Sequence, residues 1–538
     1  MGRPAVSFMG GAGLDPAALR RDRWGGEMLR IDGRSLTLAD VERVAAAEVE
    51  VALAPEARAA MTRSRELVQE KVASGEVIYG VTTGFGRLAD VPVPESHREE
   101  LQHNLLRSHA AGVGPLLSDQ EVRVLLLLRA NALARGNSGI RPMVVDRILL
   151  HLNRGMHPAI PEAGSVGASG DLAPLAHMAL PLIGEGEFLA GPARPPRPAA
   201  EVLAEEELPP LRLEAKEGLA LINGTQATTA LGILVWHRAM RALETLEGAG
   251  AMSLEALLGT PEAFRREVQE VRPHPEQAES AARLRGLLVE SKIRESHRKG
   301  DPRVQDAYSL RCMPQVHGAA RSVLGYARGI LSREANSATD NPLLFPETGS
   351  VVSAGNFHAQ IVAQALDFLC IAMADLAAIS ERRLERLLNP DLSGLPPFLT
   401  PASPGRNSGL MILQVTVVDL LAELRVLAHP VSVDSVPTSA NQEDHVSMGL
   451  AAARKARRAV DLLEAVAAAE LMAAAQGLEF RRPLRAGRGV EWIHAQVRTR
   501  VAALEGDRSP APDLARLRAA VQQGKLVPPH RYREEGEG

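Results

Sequence analysis

The stretch that decides the fold of this chain reads Pro161-Glu-Ala-Gly164-Ser-Val-Gly167-Ala168-Ser169-Gly170-Asp171-Leu-Ala-Pro174-Leu-Ala-His177. Its glycines at positions 164, 167 and 170 recur every third residue, and the residues from Leu172 onward have the composition of a helix start. Glycine adopts left-handed backbone conformations and lets two backbone segments approach closely. The stretch therefore predicts a tight loop that leads directly into a helix.

A glycine-rich loop before a helix has three interpretations when the loop is taken by itself. A phosphate cradle uses free amides and the helix dipole, but the Lys-Ser/Thr ending of a P-loop is missing here. A nucleophile elbow needs Gly-x-Ser-x-Gly, whereas Gly167-Ala-Ser169-Gly170 lacks the second intervening residue. A plain turn with Ser169 or Asp171 as the helix N-cap is the third interpretation.

The composition excludes several classes of protein. The chain has 538 residues, of which 45% are hydrophobic and 23% charged, as in ordinary globular proteins. Aromatic residues make up only 3%, too few for a platform that stacks nucleic-acid bases. The net charge is -4, so no basic field is available to attract phosphate backbones. We therefore expect a small-molecule partner and no nucleic acid.

The cysteines and the apolar runs point to a cytoplasmic protein. Cys312 and Cys370 are far apart in sequence and form no Cys-x-x-Cys pair, which fits a reducing compartment. The apolar run 124–128 ends at an arginine, well short of the roughly 20 residues that a membrane span needs. Residues 1–27 lack the order of a secretory signal and are interpreted as a flexible extension or a start-site artefact. No membrane partner is expected.

Local signals near the start of the chain predict a hairpin and two capped helices. Leu29-Arg-Ile31, followed by an Asp32-Gly33 turn and Leu36, is typical of a two-stranded hairpin. Capping-box patterns at 37–40 and 118–121 precede apolar positions, so each predicts the beginning of a helix.

The second half of the chain has the pattern of a helical bundle. After residue 220, long helical patterns cover 357–388, 407–428 and 446–476. These lengths exceed the roughly 11 or 12 residues of a usual globular helix. The last pattern is rich in alanine, which lets helices approach closely but leaves little apolar area per residue. We therefore expect contacts between chains to supply further burial.

Several other segments combine glycine, asparagine, tyrosine and arginine in uncommon patterns. Taken one at a time, these segments also have plain structural interpretations. The tyrosine could be an aromatic packed in a turn, the asparagine part of a polar turn, the arginine a solvated charge, and the phenylalanine a core residue. The segments are Ile78-Tyr79-Gly80-Val-Thr-Thr83-Gly84-Phe85-Gly86, Ser108-His109-Ala110-Ala111-Gly112, Gly218-Leu-Ala-Leu-Ile-Asn223-Gly224-Thr225-Gln226, Gln305-Asp-Ala-Tyr308-Ser-Leu-Arg311-Cys-Met-Pro-Gln315, Gly355-Asn356-Phe357-His358 and Asn441-Gln442-Glu443-Asp444-His445-Val-Ser447-Met448.

Together with the loop at 161–177, these segments resemble in register the motifs of the aromatic amino acid ammonia-lyases that carry a 4-methylidene-imidazol-5-one group (MIO). The resemblance runs from residue 28 to about 526. It implies a mainly α, ammonia-lyase/fumarase-like fold. A globular N-terminal part, 28–220, would carry the MIO loop, a central long-helix bundle would cover 221–480, and a helical segment with a frayed tail would cover 481–538. It also implies a homotetramer whose sites draw residues from several subunits.

The resemblance also implies a cofactor made by the chain itself. In that family the Gly nitrogen attacks the carbonyl of the Ala, and loss of water there and from the Ser leaves an exocyclic alkene. Ala168, Ser169 and Gly170 occupy those positions, and no external cofactor is expected. Glycine suits the attacking position because it has no side chain to block the approach, and a helix starting beyond it would make the alkene more electrophilic.

The remaining motifs supply the other expected site residues. By resemblance, Tyr79 removes the β-proton, which calls for an ionised phenol or another base of low pKa. Arg311 would hold the substrate carboxylate through a two-point fork. The other expected positions are Tyr308 near the prosthetic ring, Gln305 orienting it, Asn223 at the ring and the substrate amine, and Phe357 beside the electrophile.

Two positions indicate which amino acid is deaminated. His109 stands where phenylalanine-specific relatives carry an apolar residue, although tyrosine-specific relatives also have a histidine there. Glu443 stands where both of those groups generally have an amide. A carboxylate accepts a hydrogen bond from an imidazole or an ammonium, and stays unpaired against an apolar ring. We therefore expect L-histidine to be converted to trans-urocanate and ammonia, the first step of histidine degradation. The alternative is a tyrosine or phenylalanine ammonia-lyase or an MIO-dependent 2,3-aminomutase.

A metal site at Glu443-Asp444-His445 is the competing interpretation of that motif. Consecutive helical residues point in different directions, and no second ligand cluster lies at usable spacing. We therefore expect no metal ligands here.

Overall fold

The computed structural model describes residues 27–529 and 532, apart from 89, 192, 193 and 302. The expected extension at 1–27 thus lies outside the described residues except for Glu27. Most of the described chain is helical, with helices α1 Leu38–Ala45, α2 Pro55–Ala73, α3 Arg98–His109, α4 Asp119–Ala134, α5 Pro142–Arg154, α6 Leu172–Ala179, α7 Ala199–Glu205, α8 Glu217–Ile222, α9 Gln226–Ala256, α10 Arg266–Glu270, α11 Pro275–Leu287, α12 Lys292–Ser296, α13 Tyr308–Arg311, α14 Met313–Glu334, α15 Gln360–Leu388, α16 Pro390–Ser393, α17 Met411–Leu427, α18 Gly449–Glu479, α19 Arg488–Arg498 and α20 Ala511–Gln522.

The strands are short and form two-stranded sheets in the described chain. One sheet is parallel and the others are antiparallel. The pairs are β1 Met28–Ile31 with β2 Glu50–Leu53, β3 Val113–Leu116 with β4 Pro161–Ala163, β5 Glu187–Phe188 with β6 Arg197–Pro198, and β7 Leu343–Phe345 with β8 Ser350–Val352.

The predicted hairpin after β1 is wrong. β1 pairs in parallel with β2, and helix α1 connects the two strands. The Asp32-Gly33 turn is shaped by contact with α4 instead. The amide of Gly33 donates to Asn131 Oδ1 at 3.0 Å, and a Cβ on Gly33 would stand 2.5 Å from the backbone nitrogen of Arg135.

Both predicted capping boxes are confirmed. The Thr37 hydroxyl accepts from the amide of Asp40 at the start of α1, and the Ser118 hydroxyl accepts from Glu121 at the start of α4. In each case the acidic side chain returns a hydrogen bond to the N-cap, so two backbone amides that lack helical partners are satisfied.

The expected bundle of long helices is present. Helix α18, 31 residues long, packs along both α9 and α15, which have 31 and 29 residues. The sequence patterns at 357–388 and 446–476 predicted α15 and α18 to within three residues at each end, whereas no pattern predicted α9. The pattern ends at residue 476, but α18 continues through Gly477, where a Cβ would stand 3.1 Å from that of Ala256. The domain boundaries stay predictions, and one buried apolar cluster draws residues from all three segments.

A buried ion pair ties α15 to α18 deep in the bundle. Arg383 Nε lies 2.6 Å from Glu470 Oε1, and both side chains are fully buried. Ser253 on α9 and Ser380 on α15 also donate to this carboxylate. Since a buried charge without partners is strongly destabilising, this set of bonds fixes the register of the three long helices.

One described helix, α15, is long and apolar enough to cross a membrane by length and composition. It is mostly buried against the other long helices of the chain. Its apolar outer positions Ile361, Phe368 and Ile371 are exposed, as are Met411, Ile412, Val415 and Val418 on the neighbouring α17. An exposed apolar surface of this kind is typical of a protein–protein contact.

A buried histidine in the N-terminal part makes the fold sensitive to acid. His151 on α5 is fully buried against Phe188, and neither ring nitrogen has a hydrogen-bond partner among the described residues. Burial, with smaller contributions from Arg147 and Arg154, lowers the pKa of His151 to about 3. In the unfolded chain this histidine is protonated below about pH 6.5, whereas in the folded chain it stays neutral down to about pH 3. The free energy of unfolding is therefore highest above pH 6.5 and falls as the pH drops toward 3.

We expect His151→Leu to reduce this acid sensitivity. At about 1.4 kcal/mol per pH unit, the wild type loses about 2 kcal/mol through this residue between pH 6.5 and pH 5. Urea unfolding at pH 7.5 and pH 5 measures the difference in unfolding free energy for each protein. His97→Gln changes an exposed histidine and serves as the control. Equal acid sensitivity in His151→Leu and the wild type would contradict the assignment.

Candidate active site

The loop at 164–170 lies between β4 and α6, and its backbone is tightly confined. Gly170 has a left-handed φ of +78°, and a Cβ on it would stand 2.3 Å from the carbonyl oxygen of Gly224. The amide of the next residue, Asp171, donates to that same carbonyl at 2.7 Å. Only glycine fits this conformation and this approach.

The buried carboxylate of Asp171 anchors the loop to the first turn of α9. It accepts hydrogen bonds from the amide of Thr228 at 2.8 Å, the hydroxyl of Thr228 at 2.9 Å and the hydroxyl of Ser165 at 2.9 Å. Burial raises the pKa of Asp171, and these hydrogen bonds oppose the rise by favouring the ionised form. The loop is therefore tied to α9 through Thr228 and closed on itself through Ser165, on either side of the tripeptide 168–170.

The N-termini of three long helices converge on this loop. Besides α9, the start of α18 reaches it, because the amide of Met448 donates to Val166 O at 2.8 Å and the hydroxyl of Ser447 donates to Gly167 O at 3.0 Å. The amide of Ala359, just before α15, lies 3.5 Å from Gly167 O. Helix N-termini carry partial positive charge, so the tripeptide lies in a positive field.

Two adjoining cavities open onto Ser169. The first has a volume of about 300 Å³ and the second about 520 Å³. Both are lined by Tyr79, Ser169, Asn223 and Glu443. The first adds Ala168 and Phe357, and the second adds His109. The structure therefore brings these predicted residues together around the loop.

Glu443 is in direct contact with the tripeptide. Its Oε1 accepts a hydrogen bond from Ser169 Oγ at 2.6 Å, and its Oε2 accepts one from Thr438 Oγ1 at 2.6 Å. Both carboxylate oxygens thus have short, charge-assisted contacts.

His109, the last residue of α3, is held as a neutral ring. Its Nδ1 lies 2.9 Å from the carbonyl oxygen of Leu105, and since that oxygen can only accept, Nδ1 carries the proton. Burial lowers the pKa of His109, while the Leu105 bond and the charge of Glu443 act in the opposite direction. Nε2 is therefore the acceptor nitrogen of the ring.

Asn223 is fixed by a buried arginine that the sequence did not single out. Arg129 on α4 is almost completely buried and donates to Asn223 O at 2.9 Å, to Gln226 Oε1 at 2.5 Å and to the carbonyl oxygen of Ala220. Burial lowers the pKa of Arg129 to about 10. The side-chain Oδ1 of Asn223 is buried without a hydrogen-bond partner in the described structure, so it remains able to accept one.

Tyr79 lies in the loop between α2 and α3 and is half-buried. The amide of Gly86 donates to its hydroxyl oxygen at 3.0 Å, and its ring packs edge-on against Phe85. A Cβ on Gly86 would stand 2.9 Å from Ser439 Oγ, so this loop lies directly against the turn that precedes Glu443.

Gln305, Tyr308 and Arg311 are not brought to this site in the described chain. None of them lines either cavity, and Tyr308 is 70% exposed with the Arg311 guanidinium 4.5 Å from its ring centre. The neighbouring Asp306 accepts from the amide of Thr260, beyond the far end of α9. With 31 residues, α9 is about 45 Å long, so the three residues lie at the opposite end of the bundle.

A second contact at that end confirms the separation. Arg383 donates to Ser309 O at 3.5 Å, and Arg383 lies near the C-terminal end of α15, whose N-terminal end approaches Gly167. Sequence motifs give no distances through space, so this separation could not be read from them.

No metal cluster occurs in the part of the chain that the structure describes, where no three His, Cys, Asp or Glu side chains are grouped to hold an ion. His445 stacks against His358 instead, with ring centres 5.7 Å apart.

Comparison with known proteins identifies the family. The family described as "Aromatic amino acid lyase" matches residues 36–499. The chain belongs to the aromatic amino acid lyase family. It is therefore a carbon–nitrogen lyase, and the predicted fold class and enzyme class are confirmed.

Among similar members of the aromatic amino acid lyase family is a histidine ammonia-lyase from Anaeromyxobacter dehalogenans (strain 2CP-C), 54% identical over 93% of this chain and 99% of that protein. A tyrosine aminomutase structure from Streptomyces globisporus superimposes with a TM-score of 0.89 at 40% identity, covering 93% of this chain and 97% of the other. A histidine ammonia-lyase structure from Trypanosoma cruzi gives 0.86 at 41% identity, covering 94% and 96%.

Proposed function

We propose that this chain is a histidine ammonia-lyase, which eliminates ammonia from L-histidine without oxidation to give trans-urocanate. The observation that carries the proposal is the Glu443 carboxylate, 2.6 Å from Ser169 in a cavity wall that adjoins His109. A carboxylate and the Nε2 of a neutral imidazole can each accept a hydrogen bond from a ring N–H, and a phenyl ring would leave both unpaired. The name of the 54% identical relative supports the same substrate.

The residues at 168–170 fit an internal MIO group. Its formation requires the Gly170 nitrogen to attack the Ala168 carbonyl carbon, and Gly170, which has no Cβ, leaves that nitrogen unhindered. Ala168 is buried, while the side chain of Ser169 faces both cavities, so an alkene made from it would be open to substrate. When formed, MIO supplies an electron-poor double bond that no amino acid side chain offers.

The surrounding side chains would bind the substrate and move its protons. Either His109 Nε2 or Glu443 Oε1 accepts from the single N–H of the neutral substrate imidazole, and the free Oδ1 of Asn223 accepts from the amine. Tyr79, whose hydroxyl oxygen accepts from the Gly86 amide, removes the β-proton. Phe357 forms an apolar wall.

A homotetramer with shared sites completes this arrangement. Gln305, Tyr308 and Arg311 lie toward the end of α9 that is remote from Ser169 in the same chain, and this helix is about 45 Å long. A second copy running antiparallel brings its Arg311 to the cavity of the first, where the fork of the guanidinium binds the substrate carboxylate. The exposed apolar side chains of α15 and α17 supply a surface on which copies can pack.

We also place the reaction in the cytoplasm, as the opening step of histidine degradation. Both cysteines, Cys312 and Cys370, are free thiols, as suits a reducing compartment.

Incubation of the purified protein with L-histidine, L-tyrosine and L-phenylalanine in turn tests the proposal. We expect only L-histidine to give the ultraviolet band of a conjugated acid, together with ammonia. The intact mass of the same sample should be lower than that of the encoded chain by two water molecules, one from the condensation and one from the serine. Coumarate or cinnamate instead of urocanate, or a β-amino acid, would overturn the substrate assignment. An undiminished mass in an active sample would overturn the self-made cofactor.

A further inference from the structure

Thr438 and Glu443 are joined by three hydrogen bonds across a short turn. The amide of Thr438 donates to Glu443 O at 2.9 Å, and the amide of Glu443 donates back to Thr438 O at 3.3 Å. The third bond joins the side chains, from Thr438 Oγ1 to Glu443 Oε2 at 2.6 Å. The backbone and the carboxylate of Glu443 are thus both tied to one residue.

The turn between them has an unusual backbone. Ser439, Ala440 and Asn441 follow one another with φ values of 51°, 52° and 67°, all in the left-handed region that residues with a Cβ avoid. Such a conformation persists where surrounding contacts enforce it, and it is concentrated at functional sites. Here the enforcing contacts are the Thr438–Glu443 bridge and the packing of Gly86 against Ser439.

The two carboxylate oxygens of Glu443 face different partners. Oε2 faces Thr438, and Oε1 faces Ser169. A glutamate side chain rotates freely about its terminal bond unless a partner holds it. With Oε2 held by Thr438, Oε1 keeps its direction toward residue 169 when the serine hydroxyl is lost as water.

We propose that Thr438 is the positioning residue that sets selectivity for a nitrogen-bearing ring. It holds one oxygen of Glu443 so that the other is presented to the substrate imidazole. The inference rests on the proposed histidine ammonia-lyase activity and extends it to a residue that acts only through Glu443. Without the Thr438 hydroxyl, Glu443 turns away or binds water, and the ring loses its fixed acceptor.

Thr438→Val removes the hydroxyl and keeps the size of the side chain, whereas Thr438→Ser keeps the hydroxyl. We expect kcat/KM for L-histidine to fall about 10- to 100-fold in Thr438→Val, the usual worth of a hydrogen bond to a charged group, and Thr438→Ser to stay within about threefold of the wild type. Ser435→Ala is the matched control, since Ser435 Oγ accepts from the amide of Val446 in the same segment without touching Glu443. It should also stay within about threefold.

A double-mutant cycle separates positioning from a general structural role. In a Glu443→Gln background, Thr438→Val should cost little further activity, because the group through which it acts is already gone. The intact masses of all variants should show the same loss of two water molecules as the wild type. If Thr438→Val does not assemble, Thr438→Ala carries the same test.

The outcomes distinguish the two proposals. A wild type that fails to convert L-histidine overturns the proposed function itself. A wild type that is active, alongside a Thr438→Val variant within twofold of it, overturns only the role of Thr438. Fully additive losses in the double variant, or an equal loss in Ser435→Ala, also overturn that role, because they indicate disruption of the loop.

Discussion

Replacing Ser169 by alanine is expected to abolish the chemistry while leaving the fold intact. The Ser169 side chain faces the two cavities and its hydroxyl donates to Glu443, so the change removes one hydrogen bond and no buried packing. Without that hydroxyl no exocyclic alkene can form. We expect kcat for L-histidine to fall at least about 1000-fold, because the remaining side chains supply no electrophile of comparable strength.

Two measurements check this result together. The intact mass of Ser169→Ala should lack the serine dehydration that the wild type shows, and its unfolding midpoint should stay close to that of the wild type. Ser337→Ala makes the same chemical change at a serine whose hydroxyl bonds only locally, to Arg333 O, and should keep both the mass loss and the activity. Substantial turnover by Ser169→Ala would show that deamination proceeds without the internal group.

Mixing two inactive variants is expected to restore activity. Tyr79 lies at the cavity of its own chain, whereas Arg311 lies toward the other end of α9, a helix about 45 Å long. Tyr79→Phe and Arg311→Gln should each be nearly inactive when expressed alone. In a mixed oligomer some sites combine an intact Tyr79 from one chain with an intact Arg311 from another. With random assembly about a quarter of the sites are complete in this way.

Co-expression with two different affinity tags, followed by purification through both, isolates the mixed oligomers for assay. The control is a pair that cannot complement, Tyr79→Phe mixed with Asn223→Ala, because both residues line the same cavity of one chain. An inactive Tyr79→Phe and Arg311→Gln mixture would indicate that each chain builds its site alone.

Local features were the most predictable from sequence. The capping boxes at Thr37 and Ser118 are confirmed because their hydrogen bonds join residues only three apart. The long helices α15, α17 and α18 were predicted to within a few residues because an unbroken apolar pattern fixes their register. Motif resemblance likewise selected residues that the structure does place around one cavity, among them Ser169, Asn223 and Glu443.

Features that depend on packing between distant segments were missed. The turn at Asp32-Gly33 looked like a hairpin, but its shape is set by contact with α4, about a hundred residues later. Arg129 reads as an ordinary helical arginine, and only the fold shows it buried beneath Asn223. Thr438 stands five residues before Glu443, at no spacing that signals a contact, and the left-handed turn between them is what makes the contact possible.

The length of α9 has a consequence for how activity appears in the cell. In the proposed homotetramer with shared sites, one chain holds its Tyr79 and its Arg311 toward opposite ends of α9, so a newly synthesised copy is expected to fold and remain inert until it meets others. Catalytic capacity then rises more steeply than the amount of protein at low expression and becomes proportional to it once assembly is complete. On that proposal, protein abundance alone sets a threshold concentration below which little of the substrate is consumed.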